Sequence, residues 1–107
     1  MKQIKYYTTQ NNKVPFKQWY NSVDNSLRLQ IDKWLLWVVN DLYGEYRQLS
    51  NNLYELKFKN GIRIYYTEDE KTIVLLLTGG DKKSQSKDIK KAQEYIDDYI
   101  KRKNDEK

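Results

Sequence analysis

An Asn60-Gly61 pair between two alternating segments is the feature that most constrains how this chain folds. Asn-Gly favours the positive φ angles of a tight β-turn, and alternation of apolar and polar residues is typical of a half-buried strand. The apolar positions of the two segments are Tyr54, Leu56, Phe58, Ile62, Ile64 and Tyr66. The sequence therefore predicts an antiparallel hairpin with one face directed at a core.

Two further segments predict strands. Gln3 to Thr8 alternates in the same way and predicts the first strand. Thr72 to Thr78 is a continuous apolar run, which is typical of a strand covered on both faces in the interior of a sheet. Gly79 and Gly80 end that run and predict a tight exit from the strand.

Apolar residues at helical spacing predict three helices. Pro15 favours the first turn of a short helix, and Asp24 supplies a cap for a second. A third helix follows Asp81 to Ser84, while 40–52 is predicted to be a surface loop. The predicted fold class is α+β, an antiparallel meander with two N-terminal helices and one C-terminal helix in the order β-α-α-β-β-β-α.

Length and charge narrow the classes of function. The chain has 107 residues, which predicts a single domain over 1–107 with a frayed tail from about 101 to 107. It contains no cysteine and no histidine, so no metal or cofactor is predicted. Without a long apolar run we expect a cytoplasmic protein that does not enter membranes. The net charge of +5 favours a polyanionic partner.

The polar side of the predicted hairpin is the candidate site. Its residues are Glu55, Lys57, Lys59, Arg63 and Tyr65, and the residues after the last strand, Lys82, Lys83 and Gln85 among them, can point over it. A one-sided antiparallel sheet exposes polar residues to water in any case. The positive bias with one carboxylate is, however, also what a phosphodiester would meet in a nucleic-acid site.

The same residue types can cleave RNA without a metal. Glu55 is the expected base for the 2′-hydroxyl, and Arg63 the expected clamp on the phosphate. Lys57, Lys82 or Lys83 would supply charge or a proton, and the general acid is left open. This hypothesis requires Glu55 and Arg63 to converge on the water side of the sheet.

The sequence resembles a known superfamily in its C-terminal half. The segment LYELKFKNGIRIYY from Leu53 to Tyr66 and the segment LLLTGGDKKSQSKDIKKA from Leu75 to Ala92 are similar to RelE/ParE toxins, in particular to the HigB-like, phage-derived addiction module killers. The resemblance implies a ribosome-dependent mRNA endonuclease, or mRNA interferase, that is neutralised by a cognate antitoxin.

The resemblance also assigns residues and partners. Arg63 and Lys57 match basic positions of the family's meander strands, and Lys82 or Lys83 matches a later one. We expect Glu55, Lys57, Arg63 and Lys82 to be catalytic. Residues expected to bind RNA are Lys59, Tyr65, Lys83 and Gln85. The expected partners are mRNA, the ribosome and a helix-turn-helix antitoxin, through which alone the protein would meet DNA.

Two alternatives to the interferase are open. One is a ParE-like toxin that poisons DNA gyrase without cleaving RNA, and the other is an inactive remnant that still binds antitoxin. An apolar patch of Leu36, Trp37, Tyr43 and Tyr46 is a second surface that could receive the antitoxin.

Overall fold

The computed structural model of the chain describes residues 1–42, 44–58 and 60–106. The strands are β1 (Gln3–Tyr6), β2 (Tyr46–Gln48), β3 (Tyr54–Lys57), β4 (Arg63–Asp69) and β5 (Ile73–Gly80), and the helices are α1 (Pro15–Ser22), α2 (Asn25–Val39) and α3 (Gln85–Asp105). The predicted α+β class is confirmed, with the order β-α-α-β-β-β-β-α. Within these described residues no helix is long and apolar enough to span a membrane.

One five-stranded sheet carries the fold, in the order β1-β5-β4-β3-β2. The predicted hairpin is confirmed, because β3 and β4 are antiparallel with Lys57 opposite Arg63, and Gly61 has a φ of +87°. β5 is an interior strand, as its apolar run predicted. β1 pairs with β5 in parallel, so the sheet is mixed and extends beyond an antiparallel meander.

The prediction of a loop over the whole of 40–52 is wrong at β2. Its three residues are all exposed and pair with β3 at the edge of the sheet, with Arg47 opposite Glu55. A strand this short, without a buried side chain, leaves no hydrophobic alternation from which it could be predicted.

Helices α1 and α2 cover one face of the sheet with an apolar core. The buried members of this core are Phe16, Leu27, Ile31, Trp34, Val38, Leu56, Ile64, Tyr66, Val74 and Leu76. Pro15 opens α1 as predicted. The side chain of Asp24 caps α2 by accepting a hydrogen bond from the backbone N–H of Leu27 at 2.9 Å.

Helix α3 covers much of the opposite face. Its Ala92 and Ile96 pack with Tyr7, Leu53, Tyr65, Leu75 and Leu77 in a second buried cluster. The sheet is therefore not one-sided, and the expectation that the face of Glu55 and Arg63 meets water is wrong for those two side chains, which are buried.

The C-terminal part of α3 is anchored to the sheet. Lys103 Nζ lies 2.6 Å from Asp69 Oδ1, and the Tyr99 hydroxyl donates a hydrogen bond to Asp69 Oδ2 at 2.5 Å. Arg102 donates to the carbonyl of Thr8 at 2.5 Å. Residues 101–105, which were expected to fray, are helical. Lys103 is paired with Asp69 of β4, and Arg102 is bonded to Thr8 just beyond β1.

Gly79 and Gly80 are the last residues of β5, where two helices approach the backbone closely. A Cβ on Gly79 would lie 2.3 Å from the indole ring of Trp19 in α1. A Cβ on Gly80 would lie 1.9 Å from the Asp88 carboxylate in α3. The glycine pair therefore serves packing on both faces of the sheet.

Candidate nucleic-acid site

The polar residues of β2, β3 and β4 meet in one cleft beside the N-terminus of α3, here called the Glu55 cleft. Its volume is about 340 Å³, and it is lined by Glu45, Tyr46, Arg47, Glu55, Lys57, Arg63 and Gln85. Strand register explains the grouping, because Arg47 lies opposite Glu55 on β2 and Arg63 lies opposite Lys57 on β4. Three of the predicted site residues on the hairpin, Glu55, Lys57 and Arg63, are therefore brought together.

Glu55 lies at the centre of the cleft and is only 3% exposed. Its Oε1 accepts a hydrogen bond from Arg47 Nη2 at 3.0 Å, and its Oε2 accepts one from Gln85 Nε2 at 2.9 Å. Arg63 Nε lies 3.6 Å from the same Oε2. A carboxylate this deeply buried is stable only with such donors around it.

The cations around Glu55 differ in freedom. Arg63 is 5% exposed and donates from Nη1 to the carbonyl of Gly61 at 2.9 Å, so its guanidinium is fixed against the sheet. Arg47 is 62% exposed and Lys57 is exposed at the rim. The cleft thus has a buried positive charge at its base and two exposed ones at its mouth.

Tyr65 lies under the cleft and is completely buried. Its hydroxyl has no hydrogen-bond partner among the described residues. Burial raises the pKa of Tyr65, and the negative charges of Glu55 and Asp88 raise it further. A base cannot stack on a ring without surface, so the expectation that Tyr65 binds RNA does not fit its position.

Other predicted site residues lie apart from the cleft. Lys82 and Lys83 are exposed in the turn before α3, and neither is among the described residues that line the cleft. The side chain of Asp81 shapes that turn by accepting the backbone N–H groups of Lys83 and Ser84. Lys59, like Tyr43 of the predicted apolar patch, lies outside the described residues.

The N-terminus of α3 borders the cleft through Gln85. Its side chain bonds Glu55, which suits a site residue. Asp88 accepts a hydrogen bond from the Ser84 hydroxyl at 2.5 Å, and burial raises the pKa of this carboxyl group.

Arg47 is the main site residue that sequence reasoning missed. It belongs to β2, the strand that was predicted as loop. In the sequence it is a single basic residue in a polar segment, eight residues before Glu55. Its position acquires meaning only once β2 pairs with β3.

An α+β fold of this element order is consistent with a RelE-like fold. The chain belongs to the family described as phage derived protein Gp49-like (DUF891), whose model matches residues 41–99. This family is of the RelE/toxin-like type, which bears out the resemblance at that level. The matched segment contains β2 to β5, most of α3 and the lining of the Glu55 cleft.

A relative from Haemophilus influenzae (strain ATCC 51907 / DSM 11121 / KW20 / Rd) is 36% identical over 53 residues. It is described as an uncharacterized protein, and the match covers 48% of this chain and 54% of the relative. The chain thus spans about half the length of this curated relative.

Proposed function

We propose that this chain is the toxin of a bacterial toxin–antitoxin pair and that it cleaves mRNA on the ribosome. The observation that carries the proposal is the Glu55 cleft, in which Arg47, Lys57 and Arg63 lie around the buried carboxylate of Glu55. The exposed Glu45 is a second carboxylate in the lining. Membership of a RelE/toxin-like family supports the toxin role. The whole of 1–107 is proposed as one RelE-like domain.

In this proposal one phosphodiester of the message enters the cleft at its exposed mouth, where Arg47 and Lys57 lie. From there it reaches Glu55 and Arg63, which are buried and do not themselves face water. Arg63 supplies fixed positive charge to the phosphorane, and Lys57 at the rim adds a second charge. Glu55 accepts the proton of the attacking 2′-hydroxyl. Lys82 and Lys83 are proposed to contact neighbouring phosphates of mRNA or ribosomal RNA, since they lie outside the cleft.

The antitoxin is proposed on two grounds, the family and the net charge of +5. A partner that neutralises this toxin would carry acidic side chains to the basic mouth of the cleft. We propose a helix-turn-helix protein, so that the toxin meets DNA only through it. Leu36 and Trp37 of α2, 68% and 48% exposed, offer a separate apolar surface that the antitoxin could cover as well.

Translation in a reconstituted system tests the nuclease proposal. Arg63→Ala and Glu55→Ala should each reduce mRNA cleavage about a hundredfold or more. Each removes one partner of a buried ion pair, so thermal unfolding must be measured beside activity. Lys57→Ala changes an exposed residue of the same cleft, and Lys101→Ala, at the far end of α3, is the charge-matched control.

Primer extension on the message identifies the reaction. Cuts in phase with codons that disappear in the Arg63 and Glu55 variants support the proposal. Undiminished inhibition by folded Arg63→Ala, Glu55→Ala and Lys57→Ala would show that the site is assigned wrongly.

A second candidate function is supported by the burial of Arg63 against Glu55. A buried ion pair of this kind can be structural, as in a toxin that poisons DNA gyrase or in an inactive remnant. Double-strand DNA breaks with intact messages after induction identify the gyrase poison. Unchanged growth after induction identifies the remnant.

A further inference from the structure

The two oxygens of Glu55 have unequal partners. Oε2 faces the fixed groups of the cleft, with Gln85 Nε2 at 2.9 Å and Arg63 Nε at 3.6 Å. Oε1 accepts a hydrogen bond from Arg47 Nη2 at 3.0 Å. Only Oε1 can therefore be released without moving the buried part of the site.

Arg47 is the group that can move. Its side chain is 62% exposed, whereas that of Arg63 is 5% exposed. It stands on β2, an exposed three-residue edge strand that pairs with β3 alone. The Arg47 end of this ion pair is open to water, whereas the Glu55 end is buried. A phosphate can therefore reach the guanidinium from solvent, and its oxygens would replace the contact with Glu55.

A phosphodiester competes well for such an arginine. The planar guanidinium binds two phosphate oxygens at once, and it meets the negative charge at the mouth of the cleft before any buried group does. Lys57 lies at the same mouth and makes no ion pair among the described residues. Two cations would then receive the phosphate together.

We propose that Arg47 is a phosphate-binding residue that leaves Glu55 when RNA enters the cleft. The free protein thus holds its own base neutralised, and the substrate releases it. The inference rests on the proposed function and adds to it the residue that couples RNA binding to the availability of Glu55.

The chemical step that follows is a transesterification at phosphorus. The 2′-O–H bond breaks and its proton moves to Glu55 Oε1, which Arg47 has left. The 2′-oxygen forms a bond to phosphorus, and the bond from phosphorus to the 5′-oxygen breaks with its electron pair on that oxygen. The leaving oxygen takes a proton from solvent, so the products are a 2′,3′-cyclic phosphate and a 5′-hydroxyl.

Binding of a non-cleavable RNA tests the inference apart from cleavage. The probe is a short, fully 2′-O-methylated RNA, followed by fluorescence anisotropy over a range of salt concentrations. Arg47→Ala should weaken binding about tenfold and lower the salt slope by about 0.7, the value of one phosphate contact on a single strand. Arg47→Lys should restore the slope, and Lys101→Ala should match the wild type.

A double-mutant cycle tests the link to Glu55. Glu55→Gln removes the group that holds Arg47, so binding should tighten at least about threefold in the wild type and less in the Arg47→Ala background. Three results would overturn the inference. The effect of Glu55→Gln could be equal in both backgrounds, Arg47→Ala could bind RNA as tightly as Lys101→Ala does, or the wild type could bind no RNA at low salt. If Glu55→Gln does not fold, the NMR signals of the Arg47 guanidinium replace it, and signals unchanged by the RNA would overturn the inference.

The two proposals fail in different assays. A wild type that binds the methylated RNA through Arg47 but leaves every message intact contradicts the nuclease and keeps the phosphate contact. An Arg47→Ala variant that cleaves mRNA as well as the wild type does contradicts the role of Arg47 but leaves the nuclease proposal standing.

Discussion

The two faces of the sheet are both covered by helix, yet only one carries a candidate site. Under α1 and α2 the buried cluster is apolar throughout. Under α3 the apolar cluster formed with β4 and β5 gives way, next to Gln85, to the buried Glu55–Arg63 pair and an open cleft over β2 and β3. The site therefore lies where the covering helix ends and the sheet continues.

The comparison also separates two kinds of burial. Apolar side chains on the first face gain stability simply by leaving water. Glu55 and Arg63 on the second face lose hydration, which their mutual contact and hydrogen bonds offset only in part, since Arg63 Nε has no hydrogen-bond partner among the described residues. The apolar face stabilises the sheet, and the other face carries the charged residues of the Glu55 cleft at the edge of the sheet.

A cavity in the apolar face should give the largest effect on stability. Leu76→Ala removes a completely buried side chain and should lower the free energy of unfolding by about 2–5 kcal/mol. Leu36→Ala is the matched control, because Leu36 is 68% exposed and its truncation should cost about 0.5 kcal/mol or less. Urea denaturation measures both, and equal losses would contradict the assignment of Leu76 to a packed core.

Substitutions of the two adjacent glycines allow a direct comparison of the two faces. They should give an intermediate loss of stability. Gly79→Ala brings a methyl group against the packed ring of Trp19 and should cost about 1–3 kcal/mol. Gly80→Ala meets the end of the Asp88 side chain, which can turn away, so it should cost less. Thermal unfolding of the two variants gives the order, and a larger loss for Gly80→Ala would refute this account of the packing.

The smallest effect is expected at the anchored end of α3 and depends on pH. Hydrogen bonds from Lys103 and Tyr99 lower the pKa of Asp69 below its ordinary value. A lowered pKa in the folded state stabilises the protein above the unfolded pKa near 4, and this contribution disappears as pH falls through the folded value. Asp69→Asn should therefore lower the melting temperature at neutral pH and approach the wild type in acid.

Glu70→Gln is the control for that measurement, because the neighbouring Glu70 is exposed. A difference between Asp69→Asn and wild type that grows as pH falls would reverse the sign and exclude the assigned cause.

Local patterns predicted the parts of this fold that depend on neighbours in sequence. The Asn60-Gly61 hairpin, the Pro15 start of α1 and the Asp24 cap each need only a few adjacent residues. The polar face of the hairpin was different. Alternation places Glu55 and Arg63 on one side of the sheet, but it does not say whether water or a distant helix covers that side.

In the candidate site, too, the sequence predicted only those features that depend on neighbouring residues. Glu55, Lys57 and Arg63 share the cleft because the hairpin register fixes them. Arg47 and the contact between Gln85 and Glu55 depend on pairing of an edge strand and docking of a helix, which are set by the whole fold. Their catalytic or binding roles stay predictions.

The parallel pairing of β1 with β5 has a consequence for biosynthesis. A ribosome making this chain releases β1 first and must then translate α1, α2 and three more strands before the partner of β1 exists. Contacts between such distant segments close late and slow folding. The sheet is therefore complete only after β5 has been synthesised and has left the exit tunnel.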